Sequence, residues 1–135
     1  MLIKPNRSDL SAQFNLIKRA FNGVEHAKVE FDFCCDAVRN KRASMYHLFS
    51  REHGVSVRFV GLVTESNDYL ILAMTGKGLV KAAPCIIDAV KSQGYRAIKY
   101  HTVRRGMERI LKSFGFVVSG KTDHESVLSL TLEGC

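Results

Sequence analysis

The side chains able to do chemistry fall in a few short stretches of the 135-residue chain. Thr75-Gly76-Lys77-Gly78, followed by Leu79 and Lys81, places two glycines and two lysines where an apolar strand gives way to a helix. Glycine lets a backbone approach a ligand closely, and the first amides of a helix attract anions because no carbonyl within the helix can receive them. The same glycines also suit an ordinary tight turn. Tyr100 and His101 close a later strand and are able to act as proton donor or acceptor. Read structurally instead, they are a strand-end tyrosine half in the core and a solvated histidine.

Two basic clusters point to anions. Arg104, Arg105, Arg109 and Lys112 would serve a cofactor's phosphates or a nucleic-acid backbone, and Arg39, Lys41 and Arg42 an acidic substrate or nucleic acid. Solvated helix faces are the plain alternative for both. No His or Asp context activates Cys34 or Cys35 as a thiolate, and Glu65 sits in a turn as a solvated side chain. The four cysteines, at 34, 35, 85 and 135, show no zinc-knuckle spacing, so no metal site is expected. They read as reduced thiols in a cytoplasmic protein.

The elements that must position these residues follow from periodicity. Met1–Lys4 reads as an opening strand stopped by Pro5, and Ser8 or Asp9 can cap the helix that follows. Leu10, Phe14, Ile17 and Phe21 recur at helical spacing, and Asn22-Gly23 ends that helix. Val29–Phe33 alternates like a strand, but a short basic helix near 33–43 is preferred. Met45–Arg51, Val55–Thr64 and Tyr69–Met74 form an antiparallel meander, with Val55, Val57, Phe59 and Gly61 on one face and Ser56, Arg58 and Val60 on the other. A helix runs over Leu79–Gln93, its regular part starting near Lys81–Ala83 because Pro84 is tolerated only near the first turn. Ala97–His101 is a strand. Arg104–Phe114 is a helix burying Met107, Ile110, Leu111 and Phe114, and strands 116–120 and 126–132 close the chain around a turn at Lys121–His124.

The fold class is therefore α+β, in the order β-α-α-β-β-β-α-β-α-β-β, with helices on both faces of a mixed sheet. Residues 1–135 form one domain, since no linker or repeat divides them. A net charge of +7 favours anionic partners, and no apolar run approaches the roughly 20 residues needed to span a membrane.

That order, with the phrases FSREHGVSVRFVGLV, ILAMTGKGL and LKSFGFVV, resembles the GNAT N-acetyltransferase family over nearly the whole chain. A fainter likeness is to short phage-encoded members of that fold. The resemblance implies an acetyl-CoA cofactor and an amine acceptor. It places the pantetheine arm on the strand at Leu72, Ala73 and Met74, and the pyrophosphate at Thr75, Gly76, Lys77, Gly78, Leu79, Lys81 and Arg104. With the family's acid position held by Leu111, Tyr100 and His101 at the strand end remain the candidate acid and base, and the resemblance is compatible with a homodimer through the C-terminal strands.

The chain departs from the family pattern at Thr75, where a basic residue is usual, and at Val80, where a small one is usual and valine would narrow the space over the pyrophosphate. Arg104 replaces a common Asn, and Leu111 replaces the Tyr that protonates the leaving thiolate. Two other readings stay open. One is a catalytically reduced GNAT-like module, a phage accessory or virion-associated protein. The other is a basic nucleic-acid-binding domain, which no aromatic-interleaved RNA motif supports.

Overall fold

The alternation of apolar residues in the middle of the chain builds a sheet whose two faces are both buried. The computed structural model describes residues 2–5, 10–21, 27–102, 105–121 and 126–132. Strand β1 (Leu2–Pro5) leads to helix α1 (Leu10–Ile17), which tightens into a 3-10 turn at Lys18–Phe21. Helix α2 (Ala27–Arg39) follows, then strands β2 (Ala43–Ser50), β3 (Val55–Val63) and β4 (Tyr69–Lys77). Helix α3 (Leu79–Ser92), strand β5 (Ala97–Thr102), helix α4 (Arg105–Ser113) and strands β6 (Val117–Lys121) and β7 (Ser126–Thr131) complete the chain. The expected element order holds throughout. The N-cap at Ser8 or Asp9, the stop at Asn22-Gly23 and most of the turn at Lys121–His124 lie outside the described residues.

The strands lie in the order β1-β2-β3-β4-β5-β7-β6. Among the described residues β4 and β5 pair in parallel and every other neighbouring pair is antiparallel. Side-chain alternation then divides the core in two. Val57, Phe59, Ile71 and Ile98 meet Ile86 and Val90 of α3 and Leu111 of α4 on one face. Met45, Val60 and Ala73 meet Phe14 and Ile17 of α1 and Cys34, Cys35 and Ala37 of α2 on the other. Helices therefore cover both faces, and β3 presents Val57 and Phe59 opposite to Val60, as its alternation requires.

Three boundaries differ from the sequence reading. Helix α2 covers 27–39 rather than 33–43. The strand-like alternation of Val29, Phe31 and Phe33 misleads because Val29 and Phe33 are 66% and 46% exposed; only Phe31 of the three turns inward, edge-on to Phe21 at 5.7 Å. Residues 40–42 leave the helix through a left-handed Lys41 (φ 61°), with the Arg42 amide donating to the Ala37 carbonyl at 2.8 Å.

Thr75, Gly76 and Lys77 are strand rather than loop, paired with Arg58, Val57 and Ser56 of β3. Helix α3 begins at Leu79 and simply contains Pro84. The carbonyl that loses its helical donor to that proline belongs to Val80, an exposed residue where water can replace it.

Candidate active site

Strands β4 and β5 part company along their length. They pair only at Tyr69↔Ile98, Leu70↔Lys99 and Ile71↔Tyr100. Beyond Ile71, β4 stays with β3 as far as Lys77, and the register jumps from Val60↔Ala73 to Gly61↔Ile71, leaving Leu72 as the extra residue of a bulge. Such a bulge bends and twists its strand, which turns β4 away from β5.

The closed end of the gap is pinned by Asp68, 1% exposed. Its carboxylate takes Nε–H of Arg96 at 3.3 Å and pairs with Nζ of Lys99 at 3.1 Å. Burial alone would raise the Asp68 pKa, but the hydrogen bonds and charges of Lys99 and Arg96 outweigh it and hold it below the usual carboxylate range.

Two hollows lie along β4 and its continuation into α3. One, of about 330 Å³, lies on the α1/α2 side and is lined by Leu70–Ala73, Tyr100, His101, Phe21, Glu30 and Phe33. The other, of about 770 Å³, lies at the start of α3 between His53-Gly54, Gly76, Gly78–Lys81 and the Gly106, Met107 and Ile110 positions of α4.

Helix α3 has no side-chain cap, and its first intrahelical bond runs from the Ala82 amide to the Gly78 carbonyl at 2.9 Å. The Leu79 and Val80 amides precede that bond and so have no acceptor within the helix. Lys81 reaches over the hollow, its Nζ donating to the His53 carbonyl at 3.4 Å. Amides, a helix N-terminus and a lysine facing one hollow suit a pyrophosphate.

The overall arrangement matches known acetyltransferase structures over almost their full length. An acetyltransferase of Bacillus subtilis, solved in complex with CoA, superposes with a TM-score of 0.71 at 13% identity, covering 96% of this chain and 97% of that one. The GNAT fold is what they share. The ribosomal-protein-S18-alanine N-acetyltransferase of Escherichia coli gives a TM-score of 0.70 at 14% identity, over 99% and 95% of the two chains. A putative GNAT-family acetyltransferase of Desulfovibrio desulfuricans gives 0.62 at 13%, over 97% and 99%. No protein-family model and no curated protein matches the sequence.

Within this GNAT fold the residues singled out from sequence separate into groups. Leu72 and Ala73 line the crevice, whereas Met74 is 2% exposed and packs in the α3/α4 core. Gly76, Gly78, Leu79 and Lys81 line the α3 hollow. Thr75 and Lys77 do not join them there. They line a second hollow with Arg19 and Arg58, which meets the first at Gly76. Arg104 lies outside the described residues.

His101 is exposed at the crevice, while Tyr100 is 4% exposed within the core, its neighbourhood shared with Leu111 and Leu128. Leu111 is 3% exposed and has no proton to donate. Val80 is 59% exposed at the rim of the α3 hollow.

The glycines have a further duty. A Cβ on Gly76 would meet the Ser56 carbonyl oxygen, with Val57 Cα at 2.7 Å, and one on Gly78 would lie 2.8 Å from the Gly54 oxygen. Their first requirement is close packing against β3.

Sequence reasoning missed Glu30, Phe33 and His53. A helical period over 27–39 would have put Glu30 and Phe33 three residues apart on one face. Cys34, buried, has its thiol pushed up to about 12, chiefly by desolvation and then by Cys35. Cys35 is raised as well, by burial first. Neither is a nucleophile at neutral pH. Among the described residues no three His, Cys, Asp or Glu side chains converge on a metal position, and no helix is long and apolar enough to cross a membrane.

The cluster at Arg39, Lys41 and Arg42 is largely engaged locally. Arg39 pairs with Asp36 at 3.4 Å and lies 5.0 Å from the Phe14 ring, and Arg42 lies 5.8 Å from the Phe33 ring. At the other cluster, Lys112 pairs with Glu108 at 3.5 Å.

Proposed function

We propose that this chain is an acetyl-CoA-dependent N-acetyltransferase acting on an amine. The observation that carries the proposal is the parting of β4 from β5 at Ile71, beside a crevice at Leu72 and Ala73 on the strand that leads into the uncapped amides of α3. Leu72 and Ala73, which line the crevice past the end of the β4–β5 ladder, offer backbone groups to the amides of a pantetheine arm. The Leu79 and Val80 amides and Lys81 hold the pyrophosphate, and the thioester then lies in the crevice beside Leu72 and Ala73.

His101 and Glu30 both line that crevice. His101 accepts the proton that the amine must lose, and Glu30 draws a cationic acceptor in and shares the role of base. The amine nitrogen forms its bond to the thioester carbonyl carbon as the carbon–sulfur bond breaks, and the electron pair leaves on sulfur. Tyr100 forms the wall of the crevice at the point where the strands part. With leucine at 111, the departing sulfur takes its proton from water, which is tolerable because a thiol ionises near pH 8.5.

Acetyl-CoA at a hundred times its dissociation constant is expected to raise unfolding free energy by about 2.7 kcal/mol, read as a shift in a thermal melt. Gly78→Glu is a poor locator of the site, since Gly78 has φ 80° and little room beside Val55. Val80→Glu is better. Its side chain is exposed at the second position of α3, where an acidic residue stabilises the helix by about 0.3–1 kcal/mol yet repels a pyrophosphate. Acetyl-CoA affinity should fall about tenfold or more while the unliganded melt holds or rises. An unchanged melt in millimolar acetyl-CoA would sink the proposal. Binding without turnover on any amine would leave a coenzyme-binding module that has lost its chemistry.

A further inference from the structure

The hollow that takes Thr75 and Lys77 away from the α3 groove has a composition of its own. It measures about 350 Å³ and is framed by Leu16 of α1, Arg19 beyond its end, Ser56 and Arg58 of β3, and Thr75, Gly76 and Lys77 of β4, with Gly76 the residue it shares with the α3 hollow. Strand register stacks these residues on one face, with Arg58 opposite Thr75 and Ser56 opposite Lys77. Arg58 and Lys77 are thus diagonal neighbours, a distance at which long side chains interact and like charges repel.

Arg58 is half-buried, and its Nε–H donates to Gln13 Oε1 at 3.0 Å, which fixes the guanidinium against α1. Among the described residues no carboxylate pairs with Arg19, Arg58 or Lys77. Three other basic side chains of this half of the molecule have local partners: Lys18 lies 5.9 Å from the Phe31 ring, and Arg39 and Arg42 stand against Phe14 and Phe33. Beside Arg58, burial and then the guanidinium's charge lower the His47 pKa, so its imidazole is neutral at pH 7 and bonds Ser56 Oγ at 3.0 Å. Three cations around a concavity with no counter-ion among the described residues form a site that an anion completes.

We propose that this hollow binds a phosphoryl group carried by the acyl acceptor, distinct from the groove at α3 that would hold the cofactor's pyrophosphate. The acceptor assignment rests on the acetyltransferase reading. Thr75 and Lys77 share the α1 side of the sheet with Ala73, while the α3 groove opens toward Met107 and Ile110 of α4. From Ala73, at the crevice, to Lys77 is four strand residues, or roughly 13 Å. The substrate class is therefore an elongated amine with a phosphoryl group roughly 13 Å from the reacting nitrogen.

The test titrates inorganic phosphate into the full chain at low salt, following backbone amide resonances with and without saturating coenzyme A. Shifts should centre on residues 56–58 and 75–77 and persist with coenzyme A bound. Arg19→Glu and Lys77→Glu, both at exposed positions, should each weaken phosphate binding about tenfold with the rest of the spectrum unchanged. No shifts at millimolar phosphate would overturn the proposal. So would displacement of phosphate by coenzyme A, which would place it in the α3 groove, or an equal loss in Lys112→Glu, which would make it a diffuse charge effect. Tight binding of a DNA duplex that Lys77→Glu abolishes would assign the hollow to nucleic acid instead. Phosphate bound at the hollow in a chain indifferent to acetyl-CoA would overturn the acyl-transfer reading alone.

Discussion

Gly76→Ala is expected to cost about 3 kcal/mol of folding stability, measured by urea unfolding, before any ligand is considered. Gly76 holds φ 138°, a conformation that side-chain-bearing residues rarely adopt. Strain of that kind contributes about 1–3 kcal/mol. The added methyl group also meets the Ser56 carbonyl oxygen and Val57 Cα, which belong to a paired strand and cannot swing aside like the tip of a flexible side chain. Gly54→Ala is the control. That residue has φ 67° but nothing within 4 Å of its would-be Cβ, so it should lose only about 1–2 kcal/mol. Equal losses in the two variants would mean that contact with β3 contributes nothing.

Asp68→Asn should destabilise the chain by about 2 kcal/mol at pH 7. The substitution keeps shape but removes the charge that Arg96 and Lys99 face. Breaking a fully buried ion pair costs about 3–5 kcal/mol, but the figure is smaller here because water reaches both cations. Arg96 and Lys99 are 48% and 40% exposed.

The pH dependence has a definite sign. The folded-state pKa of Asp68 lies below its unfolded value, so its stabilising effect is complete above about pH 4. It is lost as pH falls through the folded-state pKa. Wild type and Asp68→Asn should therefore differ most near neutrality and converge in acid. A gap that stays constant down to pH 2 would show that the carboxylate's charge is not the cause.

Much of the fold was readable because its signals are local. Phe14, Ile17 and Phe21 mark a helix face, and the turns at Glu52–Gly54 and Glu65–Asp68 delimit a meander whose strands are long and apolar. What failed was local in another sense. Val29 and Phe33 are apolar yet exposed, so periodicity alone assigned them to a buried pattern they do not join. The glycine phrase was located correctly, but its division between two faces was not visible. Whether Thr75 and Lys77 point with or against Gly76 depends on the strand continuing to Lys77, which pairing with β3 decides. Glu30 and Phe33 reach the crevice only through the placement of α2, a tertiary fact with no sequence signature of its own.

The bulge at Leu72 has a consequence for backbone protection. Beyond Ile71, β4 has β3 on one side and, among the described residues, no ladder to β5 on the other. Outer edges are usually guarded by charge or by cover because they invite further strands. This interior one has the geometry for strand addition by a narrow chain bearing amides. Hydrogen–deuterium exchange should distinguish the two sides of this stretch. Leaving Met74 aside, amides of 72–77 that pair with β3 should exchange slowly, and those facing the gap quickly. Acetyl-CoA should slow the second set alone, so that the ligand behaves as the sheet's missing strand.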